Sequence, residues 1–333
     1  MTSHPESQIV NNLDPSAIVR LVGEYRFGRY CEDPDLPLAA SRQLMAEELK
    51  ASLKDPAARC IQALAQTGEL RGVLFFRYSK WDSDHFGFKV AVISSIIIDE
   101  RQGYQEGARA AGSLLGCFDG WCKENSIRCV FAKIPALDLP VLHSLENSGF
   151  QYIESWIWNK VDLRKIALDT APLAAVQPAP LRRAIPSDQP FMLDFVPGAF
   201  ASHRFHADPR IPEDKKDSLY RKWIETAFAE GIQNIVVMEQ DSLPVAFMIT
   251  PITDLTRTFG LKFTTLRMAL LDPAQRGKGL GEKFFISLFR HHKKEGVDIV
   301  DSGLTLRNLP SLNLHNKLRF KVVSTIVNFH RWY

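Results

Sequence analysis

The residues best suited to chemistry form a glycine-rich turn between an apolar strand and an amphipathic helix. The turn reads Gln275-Arg-Gly-Lys-Gly-Leu-Gly281, and it follows a predicted strand over Phe263–Leu271, which Asp272-Pro273 ends. Glycines let a ligand come close to the backbone, and the free N–H groups in the first turn of a helix attract anions. Arg276 and Lys278 add positive charge. The turn therefore predicts a site for a ligand that carries phosphate.

Two common phosphate-binding motifs do not fit this turn. A Walker A loop needs Ser or Thr after Gly-Lys, but Gly279 stands there. A dinucleotide fingerprint needs G-x-G-x-x-G, but Glu282 stands at its last glycine position. The remaining pattern is R-x-x-G-x-G over 276–281, which by itself is also compatible with a turn that binds nothing.

A second segment makes the pattern more specific. It reads Asn308-Leu-Pro-Ser-Leu-Asn-Leu-His-Asn-Lys-Leu-Arg-Phe320. This segment resembles the N-x-x-[AS]-x-x-L-Y-x-x-x-G-F segment of the GNAT acetyltransferase superfamily. The strand, the glycine turn and the following helix are similar to the acyl-CoA site of that superfamily. The resemblance covers residues 181–333 well and residues 65–162 more faintly.

The resemblance implies that acetyl-CoA is the acyl donor and that the amides of the turn hold its diphosphate. It implies that the strand Met268–Leu271 diverges from Val297–Leu306, so that free amides bind the pantetheine arm and the acetyl oxygen. The residues that it implies as cofactor contacts are Ala269, Leu270, Leu271, Arg276, Gly277, Lys278, Gly279, Leu280, Gly281 and Asn308.

His315 takes the position of the family's usual Tyr, which protonates the departing thiolate. An imidazolium can donate a proton, and a pKa of about 6.5 makes it available near neutral pH. The resemblance thus implies a catalytic His315, and the alternative is a packed histidine without a proton role. Arg319 replaces the family's glycine, which costs about 1 kcal/mol if the backbone there is left-handed.

The elements that must position these residues occur twice along the chain. Both halves show a strand, a helix, a strand, a short helix and a strand in the same order and at nearly the same spacing, which favours internal duplication. The predicted fold class is α/β with a mixed α+β sheet, in two tandem GNAT-like domains. Each would be a central, mostly antiparallel sheet flanked by helices. The predicted boundaries are 1–165 for a degenerate domain, 166–180 for a Pro/Ala-rich linker and 181–333 for the catalytic acetyl-CoA-binding domain.

The first half lacks the glycine turn. An alignment of Asp99 with Asp272 places Tyr104, Gln105 and Glu106 opposite positions 277–279, just before a predicted helix over Ala108–Glu124. Side chains at these positions would block the backbone, and the Glu106 carboxylate would repel phosphate. We therefore expect one acetyl-CoA per chain.

Other segments indicate the acceptor. The loop Ser202-His-Arg-Phe205 precedes an Asp-Pro pair and a Tyr-x-x-Trp helix. The segment at 81–87 reads W-D-S-D-H-F-G, and its residues are typical of a turn. A third segment, His330-Arg-Trp332, lies near the end of the sequence. These segments resemble the TDP-fucosamine acetyltransferase-like sugar N-acetyltransferases, with one residue inserted in the first loop. The resemblance implies a nucleotide-linked amino sugar of the 4-amino-dideoxy type, such as a dTDP- or UDP-amino sugar. It also implies Arg204 and His206 as substrate contacts.

The predicted function is direct transfer of an acetyl group from acetyl-CoA to a primary amine of a small molecule. Asp301 is a candidate for the base, although a structural Asp is the simpler interpretation. Two alternatives stay open: a GNAT enzyme for another amine (an antibiotic, a polyamine or a protein N-terminus), and an acyl-CoA-binding module without catalysis.

Composition sets the broad limits. The 333 residues are 45 % apolar and 24 % charged with a net charge of +3, which is typical of a soluble globular protein and gives no reason to expect a nucleic-acid partner. The apolar run Ala91–Ile98 is too short to span a membrane. Five cysteines without C-x-x-C spacing and no evident third ligand beside His203 and His206 predict no metal site. These features favour a cytoplasmic protein and leave its oligomeric state open.

Overall fold

The computed structural model describes residues 5–10, 13–168 and 175–333. It divides into two compact units: the first unit is Met1–Trp156 with Ser324–Tyr333, and the second unit is Ile157–Val323. The C-terminal segment is thus grouped with the first unit, a feature that the predicted boundaries do not include. Residues 169–174 of the predicted linker lie outside the described residues.

Strands and helices alternate in both units. The strands are β1 (Glu6–Val10), β2 (Ala58–Leu64), β3 (Leu70–Tyr78), β4 (Val90–Ile98), β5 (Cys129–Pro135), β6 (Gln151–Asp162), β7 (Leu181–Arg183), β8 (Ile235–Gln240), β9 (Leu243–Ile249), β10 (Ile252–Leu255), β11 (Leu261–Leu266), β12 (Met268–Leu271), β13 (Ile299–Thr305) and β14 (Lys321–Trp332). The helices are α1 (Pro15–Glu24), α2 (Leu38–Ser52), α3 (Lys80–Phe86), α4 (Gly103–Glu124), α5 (Leu139–Asn147), α6 (Gln189–Asp194), α7 (Arg204–Ala207), α8 (Glu213–Gly231), α9 (Thr256–Phe259), α10 (Leu280–Lys294) and α11 (Leu309–Lys317).

The first unit is a mixed sheet covered by helices. Strands β1 to β4 pair in sequence and antiparallel, β4 pairs with β5 in parallel, and the β14 segment Ile326–Trp332 pairs antiparallel with β5. Helix α4 presents an apolar face that includes Leu114, Leu115 and Phe118, and this face packs on sheet residues such as Leu74. The helical period of these residues explains why the segment folds as a helix on the sheet.

The second unit also combines strands with flanking helices, and its strands lie in two sheets. Strands β7, β8, β9 and β12 form an antiparallel sheet, while β11 pairs antiparallel with β10 and in parallel with β13. Helix α10 buries Phe284, Phe285, Leu288 and Phe289 in a core that includes residues of both sheets, among them Met248 and Val300. This arrangement confirms the predicted mostly antiparallel sheet with flanking helices.

Two local predictions are corrected. The predicted continuous strand over Phe263–Leu271 is interrupted at Arg267, where β11 ends and β12 begins with a different partner. The segment at 81–87 is not a simple turn: it forms most of α3, which ends at Gly87 with a φ of 78°. Among the described helices, none has the length and apolar character that crossing a membrane requires.

Candidate functional site

The glycine turn has the backbone conformation that makes its glycines necessary. Asp272 ends β12, and its Oδ1 atom accepts a hydrogen bond of 2.9 Å from the Ala274 amide. Beyond it, Gly277 and Gly279 have φ values of 77° and 78°. Other residues adopt this left-handed conformation at a cost of roughly 1 kcal/mol each. The turn therefore holds a shape that side chains would strain.

The amides after this turn are open. Helix α10 begins at Leu280, and its cap residue Gly279 has no side chain that could accept a hydrogen bond. Within the described ranges, the backbone N–H groups of residues 277–282 have no protein acceptor. Free amides at a helix N-terminus, together with the helix dipole, form an anion-binding site.

The charges around the turn suit an anion. Arg276 and Lys278 are exposed, and Lys278 Nζ lies 3.2 Å from Gln275 Oε1. The one acidic residue in the first turn of α10 is Glu282, whose carboxylate pairs with Lys317 of α11 at 2.5 Å. This ion pair offsets the carboxylate charge that would otherwise repel a phosphate.

The strands beside the turn diverge, as predicted. Strand β11 follows β13 up to the pair Leu266 and Ser302, whereas β12 pairs with β9 from Met268 to Leu271. In the described sheets β12 has β9 as its one neighbour and forms an edge. The opening between β12 and β13 is therefore the place where an extended ligand could bind to backbone groups.

The edge of β12 offers two amides. The Asp272 amide donates to Val245 O at 2.8 Å, so this residue forms a hydrogen-bonded pair with β9. Since alternate residues of an antiparallel strand bond to the same neighbour, the amide of Leu270 also points toward β9, and those of Ala269 and Leu271 point away. Of the three predicted contacts on this strand, Ala269 and Leu271 therefore present free N–H groups.

Asn308 lies at the start of α11. Its Oδ1 atom accepts a hydrogen bond of 3.2 Å from the Ser311 amide, so the side chain caps the helix. Capping occupies the carbonyl oxygen and leaves the side-chain NH₂ group as the donor that a ligand could use.

His315 is buried and held on both ring nitrogens. The ring is 4 % exposed. Nδ1 lies 2.8 Å from the Ser311 carbonyl and therefore carries the proton, while Nε2 lies 3.3 Å from Ser302 Oγ. Phe285 and Phe320 contact the ring.

Burial lowers the pKa of His315 to about 4, and the bond to the Ser311 carbonyl raises it only in part. The expectation of an imidazolium near neutral pH is therefore corrected: the ring is neutral there. Arg319, a few residues later, has a φ of 62°, so it adopts the left-handed conformation considered for it.

The two predicted substrate contacts lie on α7, which packs against α8. The Arg204 guanidinium lies 4.5 Å from the centre of the Phe205 ring. His206 Nε2 lies 3.1 Å from Asp217 Oδ1, and its ring is parallel to that of Tyr220. His206 thus lies within the α7–α8 layer, beside Asp217 and Tyr220 of α8.

Other candidates are placed as follows. Asp301, the candidate base, is fully buried on β13. Among the described residues no group of three His, Cys, Asp or Glu side chains has a metal-binding arrangement. Lys317 and Ser302 were not singled out from the sequence, because their partners Glu282 and His315 lie on other elements and no local pattern links them.

The corresponding region of the first unit is closed. Helix α4 begins at Gly103, so Tyr104, Gln105 and Glu106 form its first turn and not a loop before it. Tyr104 bonds to His143 through its hydroxyl at 2.6 Å, and Glu106 pairs with Arg109. The predicted helix start at residue 108 was too late, because the polar side chains of this turn masked its helical character.

Comparisons with known proteins agree with this geometry. The structure resembles a GCN5-related N-acetyltransferase from Sphaerobacter thermophilus with a TM-score of 0.62 and 14 % identity, over 98 % of this chain and 95 % of that chain. It also resembles a tandem GNAT protein from the clavulanic acid biosynthesis pathway with a TM-score of 0.56 and 14 % identity, over 98 % of each chain. The chain therefore has the GNAT fold. The tandem arrangement predicted from the sequence is confirmed with it.

Sequence comparison gives a shorter match. Over 77 residues the chain is 31 % identical to the L-methionine sulfoximine/L-methionine sulfone acetyltransferase of Salmonella typhimurium. The match includes 22 % of this chain and 45 % of that protein, so the chain spans less than half of the relative's length. No family model matches the chain.

Proposed function

We propose that this chain is an acetyl-CoA-dependent N-acetyltransferase and that its second unit binds the donor. One observation carries the proposal: the amides of residues 277–282 have no protein acceptor in the described part of the chain, and they begin α10. The open edge of β12 lies directly before them in the chain. The GNAT fold and the partial acetyltransferase relative support the same interpretation.

Most of the predicted cofactor contacts have a role in this proposal; Leu270 has none, because its amide points toward β9, and the Asn308 side-chain NH₂ group is a further donor. The amides from Gly277 to Glu282 bind the diphosphate, and Arg276 and Lys278 add attraction at its rim. The amides of Ala269 and Leu271 receive the acyl and pantetheine oxygens. A hydrogen bond from a strand amide stabilises the oxyanion that forms when the thioester carbonyl is attacked.

The proposed reaction is direct transfer. A neutral amine attacks the thioester carbon, the C–N bond forms and the C–S bond breaks. The nitrogen loses one proton and the CoA sulfur gains one, so the reaction balances without another reactant. Because His315 is neutral at pH 7 and its proton is held by the Ser311 carbonyl, the attacking amine is the better source of this proton.

For the acceptor we propose a small molecule with a primary amine. The loop resemblance favours a nucleotide-linked amino sugar, with Arg204 as a phosphate or sugar contact, since a guanidinium suits phosphate. The partial relative favours a second class, because its named substrates are amino-acid derivatives. His206 is the weaker contact of the pair, because its Nε2 atom faces Asp217 Oδ1 at 3.1 Å.

The test is the release of free CoA thiol from acetyl-CoA in the presence of a panel of amines. The panel contains dTDP- and UDP-amino sugars, methionine sulfone, an aminoglycoside and a polyamine. We expect turnover with one class only. Binding of acetyl-CoA without turnover for any amine would favour a binding module, and a lack of acetyl-CoA binding would overturn the proposal.

A further inference from the structure

A buried series of hydrogen-bonded polar side chains lies at the C-terminal end of α10, opposite the end that follows the glycine turn. His292 is fully buried, and its Nε2 atom lies 3.1 Å from Thr250 Oγ1. Thr250 Oγ1 in turn lies 2.8 Å from Thr264 Oγ1. We call these three residues the histidine–threonine clamp.

The clamp connects α10 with the pairing partners of the two strands between which the proposed donor site opens. Thr250 directly follows β9, whose sheet includes β12. Thr264 lies in β11, which pairs with β13. The bond between the two hydroxyl groups therefore links the two sheets near Arg267, where the strand passes from one sheet to the other. His292 attaches α10 to the same point.

The direction of these hydrogen bonds follows from the groups at the two ends of the hydrogen-bonded series. Burial lowers the pKa of His292 to about 4, although Glu295 raises it and His291 and Arg183 lower it further, so the ring is neutral near pH 7. Nδ1 lies 3.2 Å from Glu295 Oε2, and a carboxylate can only accept. Nδ1 therefore donates, and Nε2 accepts from the Thr250 hydroxyl.

The hydroxyl hydrogen of Thr264 has two acceptors within reach. Thr250 Oγ1 can accept from Thr264, whose hydroxyl also lies 3.0 Å from the Pro251 carbonyl. That carbonyl already accepts from the Thr265 amide at 3.3 Å. The Thr250 hydroxyl thus donates to His292 and His292 Nδ1 donates to Glu295, while the Thr264 hydroxyl contacts both the Pro251 carbonyl and Thr250 Oγ1.

Apolar packing alone does not fix the position of α10 with the same accuracy. Its buried phenylalanines contribute a non-directional attraction, which tolerates small shifts along the helix axis. Hydrogen bonds have narrow distance and angle limits. The clamp adds such limits at the helix end, and the helix carries the amides of residues 280–282 at its other end.

We propose that His292 is a positioning residue for the donor: through Thr250 and Thr264 it fixes α10 and the separation of the two sheets, and so aligns the amides that bind acetyl-CoA. The inference rests on the proposed function of the glycine turn. Loss of the Nε2 bond should weaken donor binding while the protein remains folded.

The experiment compares two replacements of similar polarity. In His292→Gln the amide reaches the former place of Nε2 and can keep the bond to Thr250. In His292→Asn the shorter amide reaches only the place of Nδ1, beside Glu295. Thr250→Val removes the same bond from the other side, and Thr250→Ser keeps it. His291→Gln is the matched control, since His291 lies 3.4 Å from Glu295 and outside the clamp.

Calorimetric titration with acetyl-CoA at a temperature well below unfolding gives the readout. We expect the dissociation constant to rise about tenfold in His292→Asn and Thr250→Val, which corresponds to roughly 1.4 kcal/mol. His292→Gln, Thr250→Ser and His291→Gln should stay within twofold of the wild type. A role limited to stability would lower the melting temperature and leave the dissociation constant unchanged.

The outcomes separate this inference from the proposed function. If the wild type binds acetyl-CoA and the folded His292→Asn and Thr250→Val variants bind it equally well, the positioning role is overturned. Equal losses in His292→Gln and His292→Asn would overturn it too. If the wild type binds no acetyl-CoA, the proposed function itself fails.

Discussion

Single residues decide whether the glycine turn can bind an anion, and Gly279 has the strictest requirement on its backbone conformation. Its φ of 78° places it in the left-handed region directly before α10. An alanine there would be strained by roughly 1 kcal/mol, and the backbone can relieve this strain by turning its amides away from the ligand.

We therefore predict that Gly279→Ala weakens acetyl-CoA binding at least fivefold, measured by calorimetry. Gly260→Ala is the matched control, because Gly260 has a φ of 69°, and a Cβ there meets no atom within 4 Å. Both variants carry similar strain, but only the first carries it in the proposed site. Equal affinity of the two variants would contradict the role of the turn.

His315 gives a prediction about pH. With a pKa of about 4 the ring is neutral throughout the range from pH 5.5 to 8. An acid that works as an imidazolium would lose activity as the pH rises through its pKa, so no such loss should come from this residue. We predict that the profile of kcat against pH has the same shape in the wild type and in His315→Gln.

The measurement is the rate of thiol release at saturating acetyl-CoA over that pH range. An inflection between pH 6 and 7 that is present in the wild type and absent in His315→Gln would indicate that the imidazolium of His315 acts as the acid. In that case the pKa of the ring must rise when the donor binds.

The sequence shows which residue types are present, but it does not show the protonation state of His315. The positive φ values of Gly277 and Gly279 follow from their place between a strand and a helix. The neutral state of His315 follows from its burial against side chains of other elements, such as Phe285 of α10. Such burial is a tertiary property, and no spacing in the sequence reports it.

At the scale of secondary-structure elements, the sequence does not show where β11 ends and β12 begins. Seven of the eleven residues from 261 to 271 are apolar and no Gly or Pro interrupts them, so the run is typical of a single strand. The break at Arg267 arises because β9 competes with β13 for pairing, and β9 gains β12. Pairing partners that are distant in sequence thus decide where the proposed site opens.

Helix α5 of the first unit carries a buried acid that makes stability depend on pH. Asp138 caps α5 and is fully buried, and Tyr25 donates a hydrogen bond of 2.9 Å to its Oδ2 atom. Burial raises the pKa of Asp138 to about 6, although the bonds from Tyr25 and Val141 lower it.

The folded protein therefore binds this proton more tightly than the unfolded chain. The stabilising contribution is complete at pH values below the unfolded pKa of 3.8 and is lost as the pH rises through about 6. We predict that the free energy of unfolding of the wild type falls by up to roughly 3 kcal/mol between pH 4 and 7, relative to Asp138→Asn.

Urea unfolding of the two proteins at several pH values checks this difference. Tyr25→Phe removes a bond that favours the carboxylate, so its loss of stability with pH should be larger than that of the wild type. Parallel pH curves for the wild type and Asp138→Asn would show that the carboxyl does not titrate in this window.

At the scale of the whole molecule, the tandem GNAT-like arrangement predicted from the sequence is confirmed, but the two units differ in one helix turn. In the second unit, residues 277–279 form a loop before α10, whereas in the first unit α4 already includes Tyr104, Gln105 and Glu106. The sequence indicated that the first copy lacks the glycines. It could not show that a helical turn replaces the loop, because the start of a helix with polar residues has no apolar period.

This difference predicts the stoichiometry of binding. The first turn of α4 takes the place of the glycine loop, and its side chains of Tyr104 and Glu106 bond to His143 and Arg109. We expect calorimetry to give one acetyl-CoA per chain. In a Gly279→Trp variant, where the bulky side chain blocks the second unit, the remaining binding should be negligible. Two sites in the wild type, or one unaltered site in Gly279→Trp, would mean that the first unit also binds the donor. The closed turn of α4 would then have to open on binding.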